Sequence, residues 1–227
     1  MQIEWIMISL SKSQMIELDK LMNEYGISVE QMMELAGLHT AQLAMKLSKG
    51  KRILVMAGSR NNGGDGLVAA RHLHNLGYKV DFVLAKKELS NNCKVQHDIL
   101  KPIGVNEVEF STNYDLLIDA LLGFNLKGDP KGKYAELIEL ANNCGIPILS
   151  VDLPSGLDAD SGKPSNPCIK AKWTITMASA KKGMLTEEGK KLCGEIYVAY
   201  IGVPKILFKK LGVEEQEFPE PIVKLEK

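Results

Sequence analysis

The sequence predicts an α/β fold built on a mostly parallel sheet, and three observations carry that reading. From residue 52 onward, short β-rich runs alternate with segments of helical spacing, and turns bearing glycine or proline separate them. The β-rich runs are nearly continuous in apolar residues, as in a sheet covered on both faces. A chain of 227 residues with 45% hydrophobic content can bury roughly 70% of the surface its unfolded form exposes, enough for one large core. A single domain over residues 1–227 follows, with two helices ahead of an α/β core.

Those two helices announce themselves first. Ser11 followed by Gln14, and Ser28 followed by Gln31, have the spacing at which a side chain and a backbone N–H cap each other reciprocally. Met15, Leu18, Leu21 and Met22 recur at helical spacing, as do Val29, Met32, Met33 and Ala36. Met15, Leu18, Met22, Met32 and Met33 are expected at the contact of a homodimer; burial on the chain's own sheet is the other use for them. Strands are expected at 53–57, 80–85, 116–120, 148–152, 173–177 and 195–200. Helices are expected at about 67–76, 90–101 and 134–143, with a short one after Pro204. From Val213 Glu and Pro dominate, so 213–227 reads as a surface tail.

Composition removes several function classes. Lys and Arg number 28 against 28 Asp and Glu, which leaves no basic surplus for nucleic-acid phosphates. The apolar stretch Ile3 to Leu10 is interrupted by Glu4 and too short to span a bilayer, so a cytoplasmic protein without membrane contact is expected. The four cysteines form no CxxC pair and the four histidines no HExxH motif. His72 and His74, two apart on a helix, face different directions.

Ligands of open α/β sheets bind outside the carboxyl ends of the strands, and three segments there stand out. Gly58-Ser59-Arg60-Asn61-Asn62-Gly63-Gly64-Asp65-Gly66 reads as a loop whose backbone N–H groups cradle phosphate at a helix start. It lacks both GxGxxG and the GK[ST] ending of a nucleoside-triphosphate loop, and Asp65 beside phosphate hints at a bound cation or a sugar hydroxyl. The second follows Asp119: Leu121-Leu122-Gly123-Phe124-Asn125-Leu126-Lys127-Gly128-Asp129. Asp119 is placed for a ligand or a cap, and Lys127 for phosphate, proton transfer or solvent. The third begins at Asp152 and continues Leu153-Pro154-Ser155-Gly156, a stiff turn, before Asp158 and Asp160, which read as solvated. Lys181 and Lys182, before Gly183, could meet phosphate but read first as a charged surface turn. Lys86 and Lys87 stand where a ribose phosphate could be met.

Together, NNGGDG at 61–66, DALLG at 119–123 and VDLPSGLD at 151–158 resemble the NAD(P)H-hydrate epimerase family, the YjeF N-terminal domain, in its stand-alone form. The resemblance spans nearly the whole chain, including MMELAG at 32–37 and IGVP at 201–204. It implies a Rossmann-like three-layer α/β/α sandwich, usually dimeric. It also implies an enzyme that interconverts the epimers of hydrated NADH or NADPH for a separate dehydratase. Potassium is the implied cofactor, held by Asn62, Asp119 and Ser155. Asn61, Asn62, Gly63, Gly64 and Asp65 would bind the hydrate, as would Gly123, Phe124, Asn125, Leu126, Lys127, Gly128 and Asp129. Asp152 would meet the reacting nicotinamide and cycle the proton, with Lys127 the competing candidate. Arg60 and Asn125-Leu126 depart from the family's usual residues at the ligand rim. Larger family members add a dehydratase domain, for which 227 residues leave no room.

Two rivals stand beside this reading. A non-catalytic dinucleotide-binding or protein-interaction module of the same fold would not need Asp119, Lys127 and Asp152 beside an intact glycine stretch. A nicotinamide-dependent dehydrogenase would need the missing GxGxxG, and Asp81 precedes its strand end.

Overall fold

Both reciprocal caps form. Ser11 accepts from the Gln14 N–H and Gln14 from the Ser11 N–H, opening α1 (Lys12–Glu24); Ser28 and Gln31 open α2 (Val29–Leu47) in the same way. The protein is described by a computed structural model over residues 8–225, so most of the Ile3 to Leu10 stretch and the last two residues lie outside the described residues. The remaining elements are β1 (Ser9–Leu10), β2 (Arg52–Ala57), α3 (Asn61–Asn75), β3 (Lys79–Leu84), α4 (Asn91–Leu100), β4 (Asn106–Glu107), β5 (Leu116–Ala120), α5 (Lys133–Asn143), β6 (Ile148–Val151), β7 (Trp173–Met177), β8 (Ala180–Lys181), α6 (Glu187–Cys193), β9 (Glu195–Ala199), α7 (Lys205–Lys210) and β10 (Ile222–Lys224).

Eight strands form one sheet in the order β10-β9-β7-β6-β5-β2-β3-β4, parallel throughout except for β10. A parallel sheet needs cover on both faces, and β2 shows it within one strand. Ile53, Val55 and Ala57 pack with side chains from α1, α2, α3, α4 and α7, whereas Leu54 and Met56 pack with Leu137, Ile138 and Ala141 of α5. The three-layer sandwich expected from the sequence is therefore present. No helix among the described residues is long and apolar enough to cross a membrane.

Three expectations are corrected. Met15, Leu18, Met22 and Met32 are buried in the core cluster that covers the sheet, and Met33 is buried against Gly64 of α3, which removes all five as a dimer surface. The segment from Val213 is not a surface tail throughout: Val223 is buried where β10 closes the sheet, and Gln216 accepts a hydrogen bond from the Ile8 N–H. The stretch 61–66 is not a loop but the first turns of α3. Glycine is a poor helix former, so a compensating reason is required, and it is close packing. A Cβ on Gly64 would lie 2.5 Å from Met33 Cε, and one on Gly66 2.4 Å from Ala120 Cβ.

Candidate active site at the carboxyl edge of the sheet

After β2 the chain winds to one side, through β3 and β4; it then returns to place β5 on the other side of β2 and winds outward through β6, β7 and β9. The direction reverses between β2 and β5, and such a reversal opens a crevice at the strands' carboxyl ends. Gly58 and Leu121 meet there, the Gly58 N–H donating to the Ala120 carbonyl at 2.9 Å. The first-turn N–H groups of α3 have no intrahelical acceptors, and Arg60 at its N-cap supplies no side-chain cap. The positive end of this helix is thus available to an anion.

Asp119, at the end of β5, has no solvent exposure. It lies in register with Ser150 of β6, whose hydroxyl donates to Oδ2 at 2.7 Å. Ser155 donates to the same oxygen through its N–H (2.9 Å) and to Oδ1 through its hydroxyl (2.6 Å). The Leu121 N–H adds a longer bond of 3.3 Å to Oδ1. All these donors are neutral, and burial outweighs them, pushing the Asp119 carboxyl above the usual carboxylate range. Nearby, both polar atoms of the Asn62 side chain are buried without a hydrogen-bond partner. Gly123 connects the two places: a Cβ there would sit 3.5 Å from Asn62 Cβ, and the adjoining Leu122 N–H donates to Ser155 Oγ at 2.9 Å.

Asp152 follows β6 at a φ of 72°, a left-handed conformation that Asp tolerates better than most residues. Its side chain is 7% exposed. Oδ2 accepts from the Phe124 N–H at 2.9 Å and lies 3.0 Å from where a Gly123 Cβ would be. Oδ1 pairs with Lys181 Nζ at 2.5 Å. Lys181, expected on a surface turn, is instead completely buried, and this is the main correction at the site. Glycine at position 123 keeps open the space between Asn62 and Asp152 that a side chain would crowd.

Two further carboxyl groups act on this pair. Burial, with Asp152 nearby, raises Asp19 to about 6 against the pull of Lys181. Asp65, half-buried in the first turns of α3, is raised well above the usual range by burial, then by Asp152 and Asp19. Asp19 was missed in the sequence although a signal existed: Met15, Leu18, Asp19 and Met22 have i, i+3, i+4, i+7 spacing, which sets a carboxylate inside the apolar stripe. Burial raises the thiols of Cys93, Cys168 and Cys193 to about 12, which leaves them unreactive.

The rim is more open. Asn61, Asn125, Lys127, Gly128 and Asp129 are exposed, while Phe124 and Leu126 are half-buried. Lys12 Nζ donates to the Leu126 carbonyl at 3.1 Å, and Asp129 accepts from the Asn166 N–H at 2.9 Å, so this loop is held from two sides. Asp158 is a solvated turn residue, as expected, bonded to Ser161. Structure thus brings together Asn62, Gly123, Asp119, Ser155 and Asp152, and leaves Lys127 outside that group.

The family model for the YjeF-related protein N-terminus matches residues 29–183, which contain Asn62, Asp119, Asp152 and Lys181. This chain belongs to that family. Among its relatives, the NAD(P)H-hydrate epimerase of Dehalogenimonas lykanthroporepellens is 37% identical, over 90% of this chain and 86% of the relative. The NAD(P)H-hydrate epimerase of Ajellomyces capsulatus is 35% identical, over 91% of this chain and 90% of its own. The bifunctional NAD(P)H-hydrate repair enzyme Nnr of Moorella thermoacetica is 37% identical over 88% of this chain but only 42% of its own. The crystal structure of yeast ynu0, YNL200c, superposes with a TM-score of 0.83 at 28% identity, covering 96% of this chain and all of the yeast chain. The family match thus runs from the start of α2 to just past β8, and the likeness to the yeast fold extends over nearly the whole chain.

Proposed function

We propose that this protein is an NAD(P)H-hydrate epimerase, an isomerase that interconverts the R and S forms of hydrated NADH and NADPH. The observation that carries the reading is Asp152: a nearly buried carboxyl group with one oxygen turned to the glycine at the crevice between β2 and β5. The names of its relatives support the same activity. In the hydrate, the hydroxyl and the ring nitrogen share a carbon. Asp152, starting in its protonated form, hands a proton to the hydroxyl; the C–O bond breaks as the nitrogen lone pair moves in, water departs to leave a planar iminium centre, and the Asp152 carboxylate so formed is paired by Lys181. Water then adds to the opposite face, and its surplus proton returns to Asp152. No hydride moves. Such proton transfer by a positioned side chain contributes roughly 10²- to 10⁴-fold. The α3 N-terminus, with Asn61 to Asp65, receives the dinucleotide phosphates, and the 123–129 loop forms the opposite wall.

Asn62, Asp119 and Ser155 would hold a potassium ion. The fit rests on the unpartnered buried amide oxygen of Asn62 and on a buried Asp119 whose hydrogen-bond donors are all neutral. An amide, a carboxylate and a hydroxyl suit a hard cation. When bound, the ion supplies positive charge against the Asp119 carboxylate. The protein works in the cytoplasm beside a dehydratase that consumes one epimer, and a homodimer would have to use a surface other than the stripes of α1 and α2. The test combines purified protein, a separate dehydratase and the epimer that the dehydratase leaves untouched. Consumption of that epimer faster than its spontaneous epimerisation is expected; no acceleration would overturn the proposal.

A further inference from the structure

Lys181 is among the largest side chains with no solvent exposure, and in the chemistry proposed above it moves no proton. A lysine ammonium has three N–H donors and no acceptor. Each donor here has its acceptor: Asp152 Oδ1 at 2.5 Å, Thr176 Oγ1 at 2.7 Å and the Met177 carbonyl at 3.2 Å. Thr176 in turn donates to the Ser179 carbonyl at 3.3 Å, which orients its oxygen to accept from Lys181. No donor remains for a substrate. What Lys181 does is occupy one oxygen of Asp152 and leave the other, Oδ2, beside Phe124 N–H and Gly123.

The two ends of this ion pair are held alike. The Leu153 N–H donates to the Val151 carbonyl at 3.0 Å across Asp152, at φ 72°. The Ser179 N–H donates to the Met177 carbonyl at 2.7 Å across Ala178, at φ 62°. An i to i+2 bond across a residue at positive φ marks the rarer, strained form of γ-turn. Asp152 and Ala178 are the non-glycine residues at positive φ among the described residues, and their turns follow neighbouring parallel strands, β6 and β7. Strained backbone persists only where its surroundings over-determine it, and such residues cluster at functional sites. The surroundings here include β1, which pairs with β8 at Ala180 and Lys181, and the Ser179 hydroxyl, which donates to the Ile8 carbonyl at 2.8 Å.

We propose that Lys181 is a positioning residue for the epimerase reaction: anchored by the strained turn after β7, it ties down Oδ1 of Asp152 and so presents Oδ2 to the hydrate. This inference rests on the reading of Asp152 given above. The test is a cycle of Lys181→Met, Asp152→Asn and the double variant, with kcat and KM measured for the coupled consumption of the inert epimer. Methionine keeps much of the volume without the charge, and asparagine tolerates positive φ. Lys181→Met should lower kcat about 30- to 300-fold with KM within about threefold, and should cost less than about twofold further when Asp152 is already Asn. Near wild-type turnover by Asp152→Asn would overturn the reading of Asp152 itself. Loss of turnover by Asp152→Asn alone, with Lys181→Met unchanged or equally costly in both backgrounds, would overturn the role of Lys181. Should Lys181→Met not fold, Asp152→Asn and the double variant, which leaves no lone buried charge, still decide. Equal turnover supports the proposal, and a further loss of about tenfold or more sinks it.

Discussion

Asp119 and Asp152 end neighbouring parallel strands, and both are buried, yet the protein treats their charges in opposite ways. Asp119 is ringed by neutral donors, from Ser150, Ser155 and Leu121, that join β5, β6 and the turn after β6 into one unit. Asp152 is held by a single cation and a single N–H, at a strained turn, with an oxygen left toward the crevice. The first arrangement fixes backbone and costs the carboxylate its solvation with no charged side chain to offset it; the second fixes one oxygen and frees the other. Residue type is the same for both and each stands at the carboxyl edge of its strand, Asp119 within β5 and Asp152 just beyond β6, so function follows from the partners.

Substitutions can break this comparison, and the largest effect should come from the reactive member. Asp152→Asn is expected to lower turnover about 10²- to 10⁴-fold while dinucleotide affinity, read by titration, stays within a few-fold. Asp119→Asn should lower stability and also weaken the potassium dependence proposed for the site. It turns an amide NH₂ toward hydroxyl and N–H donors and should lower the unfolding free energy in urea by about 2–4 kcal/mol. A stable Asp119→Asn protein would remove the structural half of the contrast.

Asp19 sharpens the comparison through pH. Its carboxyl is raised to about 6 when folded, so the folded state holds a proton that the unfolded state releases near 3.8. Stability from this group is fully present below about pH 4 and is lost as pH rises through about 6. Asp19→Asn should therefore flatten that fall and be more stable than wild type at pH 7.5, by on the order of 2 kcal/mol. Urea midpoints of both proteins at pH 4.5 and 7.5 check it, and parallel shifts would refute it.

Two smaller effects concern the crevice. Gly123→Ala places a methyl 3.0 Å from Asp152 Oδ2 and should raise KM about tenfold with little change in unfolding midpoint. Lys127→Ala removes an exposed rim charge and should change KM by only a few-fold, leaving kcat near wild type. A kcat collapse for Lys127→Ala would move the proton from Asp152 to the rim.

Much of this was legible before any coordinates. The caps at Ser11 and Ser28 are local, and the six strand runs at 53–57, 80–85, 116–120, 148–152, 173–177 and 195–200 carry enough apolar residues to declare themselves. What escaped depends on neighbours far along the chain. Lys181 beside Lys182 and Gly183 has the local look of a turn, and only the return of β6 next to β7 buries it against Asp152. The helix at Asn61 defies glycine's propensity because Met33 and Ala120 demand room. The edge strands β1, β4, β8 and β10 span two or three residues each, too few to show any period.

The pairing of β1 with β8 has a consequence for the order in which the molecule is completed. Ile8 bonds across 171 residues to Ser179 and across 208 to Gln216. During synthesis Ile8 must wait for 171 further residues before Ser179 exists and for 208 before Gln216 does. The entropy of closing so long a loop grows only slowly with its length, so the delay is one of sequence order rather than of free energy. The brace behind the reactive ion pair is therefore among the contacts most distant in sequence, and it cannot close until β8 has been made.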